Sequence, residues 1–279
     1  MTGKRLLAIM LLALPFAFAQ ERIVSLNGDI TEIIFALGAH ERLVAIDATS
    51  NWPEATSELA NVGYHGQLSA EAIMVYSPDV VIATPVAGPP EVLEQIEQAG
   101  IPVHVIANDP DLYTPVSNIR TVAALIGEAE RGEELALEVQ ARIEEAANYG
   151  AQLERQPRVM FLYLGSTQMQ FAGGIGSTSN AMIEGVGAID AGAEAGFRGF
   201  QPFSAEALIG AAPDVLIVTE RGLAVTGGLD GVLEIPGVRL TPAGLNRAVL
   251  VFEDLYFIGM GPRTGDALME LAERLRELQ

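Results

Sequence analysis

The sequence predicts an α/β protein of two similar lobes, each built on a mainly parallel sheet, joined by one long helix. Three observations predict it: an internal repeat, an alternation of apolar runs with helical stretches, and a proline-free amphipathic segment between the halves. The repeat pairs "LSAEAIMVYSPDVVIAT", Leu68 to Thr84, with "FSAEALIGAAPDVLIVT", Phe203 to Thr219. Ser-Ala-Glu-Ala, Pro-Asp-Val, one Ile and the final Thr coincide at a constant offset that sets Ser69 against Ser204, with no gap.

Taken in order, the chain opens with "MTGKRLLAIMLLALPFAFAQ", which has a short basic start, an apolar run and a small-residue cleavage site at Ala17-Phe18-Ala19. Residues 1–19 therefore read as a secretory signal peptide, and the apolar run is too short for a retained span. Residues 20–127 form the first lobe. "RIVSL" (Arg22–Leu26), "LVAID" (Leu43–Asp47), "VVIAT" and "VHVIA" (Val103–Ala107) alternate with helical stretches such as Ile30–Leu37 and Pro90–Gln98. Continuous apolar runs of this length suit strands covered on both faces. Residues 128–156 repeat apolar positions at helical spacing (Leu135, Val139, Ile143, Ala146, Ala147) and read as the joining helix. Residues 157–279 form the second lobe, with strands "RVMFLYL", "VLIVT" and "AVLVF" and helices Asn180–Gly185, Ala205–Gly210 and Thr264–Leu278. In each repeat copy a serine, Ser69 or Ser204, is placed to cap a helix with a glutamate in its first turn.

Composition narrows the function. The chain carries a formal charge of −20 and its only lysine is Lys4, inside the leader. Nucleic acid is a poor partner for so acidic a surface. Fixed positive side chains beyond the leader are all arginine, suited to bidentate contact with carboxylates, although a codon bias explains the missing lysines as well. No cysteine is present, so disulfides, thiolate metal sites and a lipid-anchoring cysteine are all absent, which fits a periplasmic protein. Neither GxGxxG, GxxxxGKS nor GxSxG occurs, and nothing recommends an enzyme. His40, His65 and His104 lack the HxxxH or HExxH spacing of a helical metal site.

Between two glycines, "NVGYHGQLSAE" sets Tyr64 beside His65, ahead of the Ser69 cap. With "GGLDGVLEIPGVRLTPAGLNR" and "DLYFIGMGPRTGDALMELAERL", this stretch resembles the haem-binding branch of the periplasmic substrate-binding components of ABC importers for iron complexes and vitamin B12. The resemblance covers nearly the whole chain beyond the leader. It implies two Rossmann-like lobes of the helical-backbone (class III) type, a monomer that captures haem between them, and delivery to a permease in the inner membrane. Cobalamin or a ferric siderophore is the alternative cargo.

Residue by residue, the resemblance makes Tyr64 the ligand of haem iron, and a phenolate is a hard donor suited to ferric iron. Many members carry a basic residue just after that tyrosine; here His65 and Gly66 follow, so His65 supports the phenolate, competes as a ligand or is a plain loop histidine. The repeat offset brings "GFRGFQPFSAE" to the opposite wall, where Phe197 and Phe200 would cover a porphyrin face and Arg198 would meet a propionate. Arg221 is a second propionate candidate. Met169, in "STQMQFAGGIGSTSN", stands where some members offer a histidine; it reads as a thioether ligand or as an apolar filler. Glu71 and Glu206, one per lobe, match the acids that engage permease arginines in this class, and each also suits the positive end of its helix.

Overall fold

The structure, a computed structural model, describes residues 22–166 and 169–279; the expected leader lies outside the described residues. The first lobe holds four strands, β1 (Ile23–Leu26), β2 (Leu43–Ile46), β3 (Val80–Ala83) and β4 (Val103–Val105), all parallel in the order β2-β1-β3-β4. The second lobe holds β5 (Arg158–Leu164), β6 (Gln170–Gly173), β7 (Ile189–Asp190), β8 (Phe200–Pro202), β9 (Val215–Thr219) and β10 (Val249–Phe252). Its order is β10-β9-β5-β6-β8, with β7 alongside β5. Here β10, β9, β5 and β7 run parallel, β6 runs antiparallel to β5, and β8 runs antiparallel to β6.

Three of these strands, β6, β7 and β8, are not among those expected. The stretch Ser166 to Asn180 does lead into a helix, Thr178–Gly185, but β6 precedes it. The linking helix spans Ala129–Gly150 and ends ahead of the expected Gln156. Its buried positions, Gly132, Ala136, Val139, Ile143, Ala146 and Gly150, alternate steps of four and three, the spacing of a helix buried along one seam. It packs between Thr114–Leu125 on one side and the closing helix Thr264–Glu277 on the other. Gly132 permits the first contact: a Cβ there would lie 2.1 Å from that of Ala123.

Pleating divides each sheet between two cores. Ile23, Val80 and Ile82 of the first lobe and Val159, Phe161, Val215 and Ile217 of the second belong to one continuous core that also contains Val139 and Ile143 of the linking helix. The alternate positions fill a core private to each lobe, with Val24, Leu26 and Val81 in one and Met160, Leu162, Leu216 and Val218 in the other. Re-exposing one large apolar side chain costs roughly 1.5–3 kcal/mol. A wide swing of the lobes would open the shared core at several such positions, so the architecture favours a cleft of nearly fixed shape.

Candidate functional site

The repeat builds one wall of the site. Ser69 caps the helix Ala70–Met74, accepting from the Ala72 amide at 3.4 Å, and Ser204 caps Ala205–Ala211, accepting from the Ala207 amide at 3.2 Å. The loop ahead of Ser69 is pinned on both sides: the Ala48 amide donates to the Gly63 carbonyl at 2.8 Å, the Gly88 amide to the His65 carbonyl at 2.7 Å, and the Gln67 amide to the Tyr64 carbonyl at 2.8 Å. Gly63 has φ of 99°, a left-handed conformation costly for other residues. The side chain of Tyr64 is held outward at this tip, 53% exposed. Gly66 makes room for the ring, since a Cβ there would sit 3.1 Å from its edge.

His65 is fixed rather than free. Its Nδ1 lies 3.2 Å from Oδ2 of the fully buried Asp47, and its ring tilts against that of Tyr64 with centroids 4.3 Å apart. Asp47 is itself saturated: the Ser50 hydroxyl donates to Oδ1 at 2.8 Å, and the Thr49 hydroxyl and amide donate to Oδ2 at 2.7 and 3.1 Å. With Nδ1 directed to a carboxylate, Nε2 is the ring nitrogen left for any other partner.

The opposite wall comes from the second lobe. Tyr163, near the carboxyl end of β5, is half-buried, and burial pushes its phenol up while the positive charge of Arg221 pulls it down. Asp254 raises it further, and Tyr64 of the first lobe contributes the smallest rise. Phe200, 41% exposed at the start of β8, lies 6.4 Å from the Tyr163 ring and 5.9 Å from that of Phe161. Met169, 51% exposed, and Tyr163 flank Gly165, where a Cβ would lie 3.6 and 3.1 Å from them. Arg221 is exposed in the first turn of Glu220–Thr226 and makes no ion pair among the described residues. Burial pushes the Asp254 carboxyl up, opposed by hydrogen bonds from the Thr219 hydroxyl and the Arg221 amide.

Of the expected residues, Tyr64 and His65 lie together on the first-lobe loop, Met169 and Phe200 lie beside Tyr163 in the second lobe with Arg221 acting on its phenol, and Arg198 is exposed at the bridge to Ile175 and tied to none of them. Phe197 corrects the expectation: it is 9% exposed and packs in the private core of the second lobe, because the chain turns over between it and Phe200 at Gly199, φ 58°. Tyr163 is the residue that sequence reasoning missed. Its available signal was position: in parallel sheets ligands bind beyond the carboxyl ends of the strands. Away from the walls, Glu71 and Glu206 are exposed, each beside its capping serine. Hydrogen bonds hold both carboxyls below the usual range, from the Ser69 hydroxyl first for Glu71 and from its own amide first for Glu206.

A family model described as periplasmic binding protein matches residues 23–254. Among solved structures, the apo form of the periplasmic heme-binding protein RhuT from Roseiflexus sp. RS-1 is 47% identical, covers 92% of this chain and 98% of that one, and superposes with a TM-score of 0.90. The periplasmic heme-binding protein BhuT, solved in complex with two hemes, is 32% identical with the same coverages and a TM-score of 0.85. The vitamin B12-binding protein of Vibrio campbellii (strain ATCC BAA-1116) is 31% identical over 140 residues, 47% of this chain and 50% of that protein. The chain spans about half the length of the curated relatives it matches.

Proposed function

The chain belongs to the periplasmic binding protein family, and from that premise we propose that it captures haem in the cleft between its lobes and hands it to an ABC importer permease in the inner membrane. One observation carries the reading: a phenol is held outward on a pinned loop of the first lobe, Tyr64, while the second lobe offers an aromatic cluster of Tyr163 and the exposed Phe200. A phenolate binds ferric iron, and the rings supply flat apolar area for the porphyrin. The protein makes and breaks no bond in its cargo, works as a monomer and is exported by its leader without a lipid anchor.

The test is a ferric haem titration followed by absorption spectroscopy, with cobalamin and a ferric siderophore as competitors. Saturable binding with a tyrosinate-type spectrum that neither competitor displaces supports haem. Displacement by cobalamin would favour the second reading, which the match to vitamin B12-binding proteins recommends and which needs no phenolate.

Arg221 orients a propionate in this reading, at short range where one arginine outweighs a diffuse negative field screened beyond about 8–10 Å. Replacing Arg221 by alanine is expected to lower haem affinity about tenfold, the worth of one charge-assisted hydrogen bond at a partly exposed site. Haem dimethyl ester, which lacks the propionate charges, should bind both proteins alike. The same comparison applied to Arg198→Ala tests the second arginine, and equal losses for both ligands would remove the assignment.

Glu71 and Glu206 dock to the permease. Their duplication suits a two-fold permease, which presents two equivalent sockets to a pseudo-symmetric binder. Glu71→Ala with Glu206→Ala is expected to leave haem affinity unchanged while abolishing most haem uptake in vesicles carrying the permease. Uptake at the normal rate would reduce both glutamates to helix-end residues.

A further inference from the structure

One guanidinium joins the two lobes. Arg263, which precedes Thr264–Glu277 in the second lobe, reaches Glu32 in the first-lobe helix Gly28–Ala36: Nε donates to Oε1 at 2.9 Å and Nη2 donates to the same oxygen. Glu253 Oε2 lies 3.6 Å from Nη2, and the guanidinium carbon is 4.6 Å from the Trp52 ring centroid and 5.0 Å from that of Tyr256. Each lobe therefore supplies one carboxylate and one aromatic face: Glu32 and Trp52 from the first, Glu253 and Tyr256 from the second. Asn51 adds a second crossing, donating to Glu253 Oε1 at 3.0 Å. Two glycines allow the approach, because a Cβ on Gly261 would lie 2.6 Å from Glu32 Oε2 and one on Gly28 would lie 2.7 Å from a Leu255 methyl.

The clamp is short-wired to both walls of the site. On the first lobe, Trp52 follows the Thr49–Ser50 segment that holds Asp47, and Asp47 holds His65 against Tyr64. On the second, Glu253 N-caps the helix Asp254–Ile258, accepting from the Leu255 and Tyr256 amides at 2.9 and 2.7 Å, and its neighbour Asp254 accepts from the Arg221 amide beside Tyr163. Both the desolvated Glu32, with its side chain 4% exposed, and the planar Arg263 fork between two rings lose their geometry if the lobes shift by more than a fraction of a bond length.

We propose that Arg263 is a positioning residue that fixes the spacing of the two cleft walls, and thereby selects a flat macrocycle over one carrying bulky groups on its faces. The selection arm rests on the haem reading; the spacing arm does not. The chain has no cysteine and one tryptophan, so both arms have clean readouts. Nitroxides on Gln98→Cys and Leu245→Cys, exposed positions one in each lobe, report the inter-lobe distance by pulsed electron resonance without ligand. Trp52 fluorescence quenching by iodide reports the clamp itself. The variant is Arg263→Gln combined with Glu32→Gln, which leaves no unpaired buried charge, and Arg263→Lys is a second variant that keeps the charge and loses the fork.

The expected result is a broadened or shifted distance distribution, faster Trp52 quenching, and a haem-to-cobalamin affinity ratio that falls at least tenfold, with the haem–tyrosinate spectrum retained. Arg263→Lys should lie between the variant and the parent. An unchanged distribution in both folded variants would overturn the proposal. A changed distribution with an unchanged ratio would overturn the selection arm. A parent protein that binds no haem would sink the haem reading, while the distance measurement still judges the clamp.

Discussion

Tyr64→Phe is expected to lower ferric haem affinity by at least about 100-fold and to abolish the tyrosinate signature in the absorption spectrum. Loss of an outer-shell partner of a metal ligand typically costs about 10–100-fold, so loss of the ligand itself sets a higher floor. The substitution removes only a hydroxyl from a ring that is 53% exposed and pinned through its backbone, so the thermal midpoint should not move. Since the phenol must shed its proton to bind iron, parent affinity should also fall as the pH is lowered, and the variant should lose most of that dependence. Tyr163→Phe is the informative partner. If Tyr64 alone holds the iron, the second variant weakens haem modestly and keeps the spectrum; if the spectrum follows Tyr163 instead, the ligand sits on the other lobe. An unchanged spectrum in both would redirect the assignment to Nε2 of His65 or to Met169.

Much of the architecture was legible because it is written locally. Capping serines, Pro-Asp turns and unbroken apolar runs each act within a few residues, and their recurrence at one offset fixed two like lobes. The two antiparallel strands escaped because "QFAG" and "FQP" carry a glycine or a proline and little apolar alternation; only pairing to β5 and to each other makes them strands. Phe197 and Phe200 show the same limit at the site. Both looked fit to cover a ligand, and the left-handed turn at Gly199 sends one into the core and the other to the surface. Tyr163 hid inside "RVMFLYL", where period-two reading marks it only as one face of a buried strand. The Arg263 clamp joins residues more than two hundred positions apart, and no spacing within either half announces it.

Beneath the clamp lies a buried acid whose effect on stability should run against the usual direction. Asp29, 1% exposed in the first turn of Gly28–Ala36, has Oδ1 accepting from the Ile30 amide at 2.8 Å and no ion pair among the described residues. Burial pushes its carboxyl up to about 7, and the charges of Glu32 and Asp47 add to the rise. Burial also pushes Glu32 up to about 7, against the pull of Arg263. In the unfolded chain such groups titrate near 4. Between about pH 4 and pH 7 the folded state therefore holds protons that the unfolded chain has released, and stability falls as the pH rises through that window, levelling above it.

Asp29→Asn keeps the shape and removes the titration. It is expected to raise stability at pH 8 by up to about 4 kcal/mol, to leave pH 4.5 nearly unchanged, and to flatten the slope between them. Urea unfolding at the two pH values measures both terms. The exposed glutamates Glu71, Glu133 and Glu206 are held below the usual carboxylate range by hydrogen bonds, so their contribution to the slope has the opposite sign. Glu32→Gln is a poorer probe, because it also strips Arg263 of its charge-assisted bonds. A parent and an Asp29→Asn protein with parallel pH profiles would mean that the buried carboxyl stays ionised in the fold, stabilised by the Ile30 amide and its own.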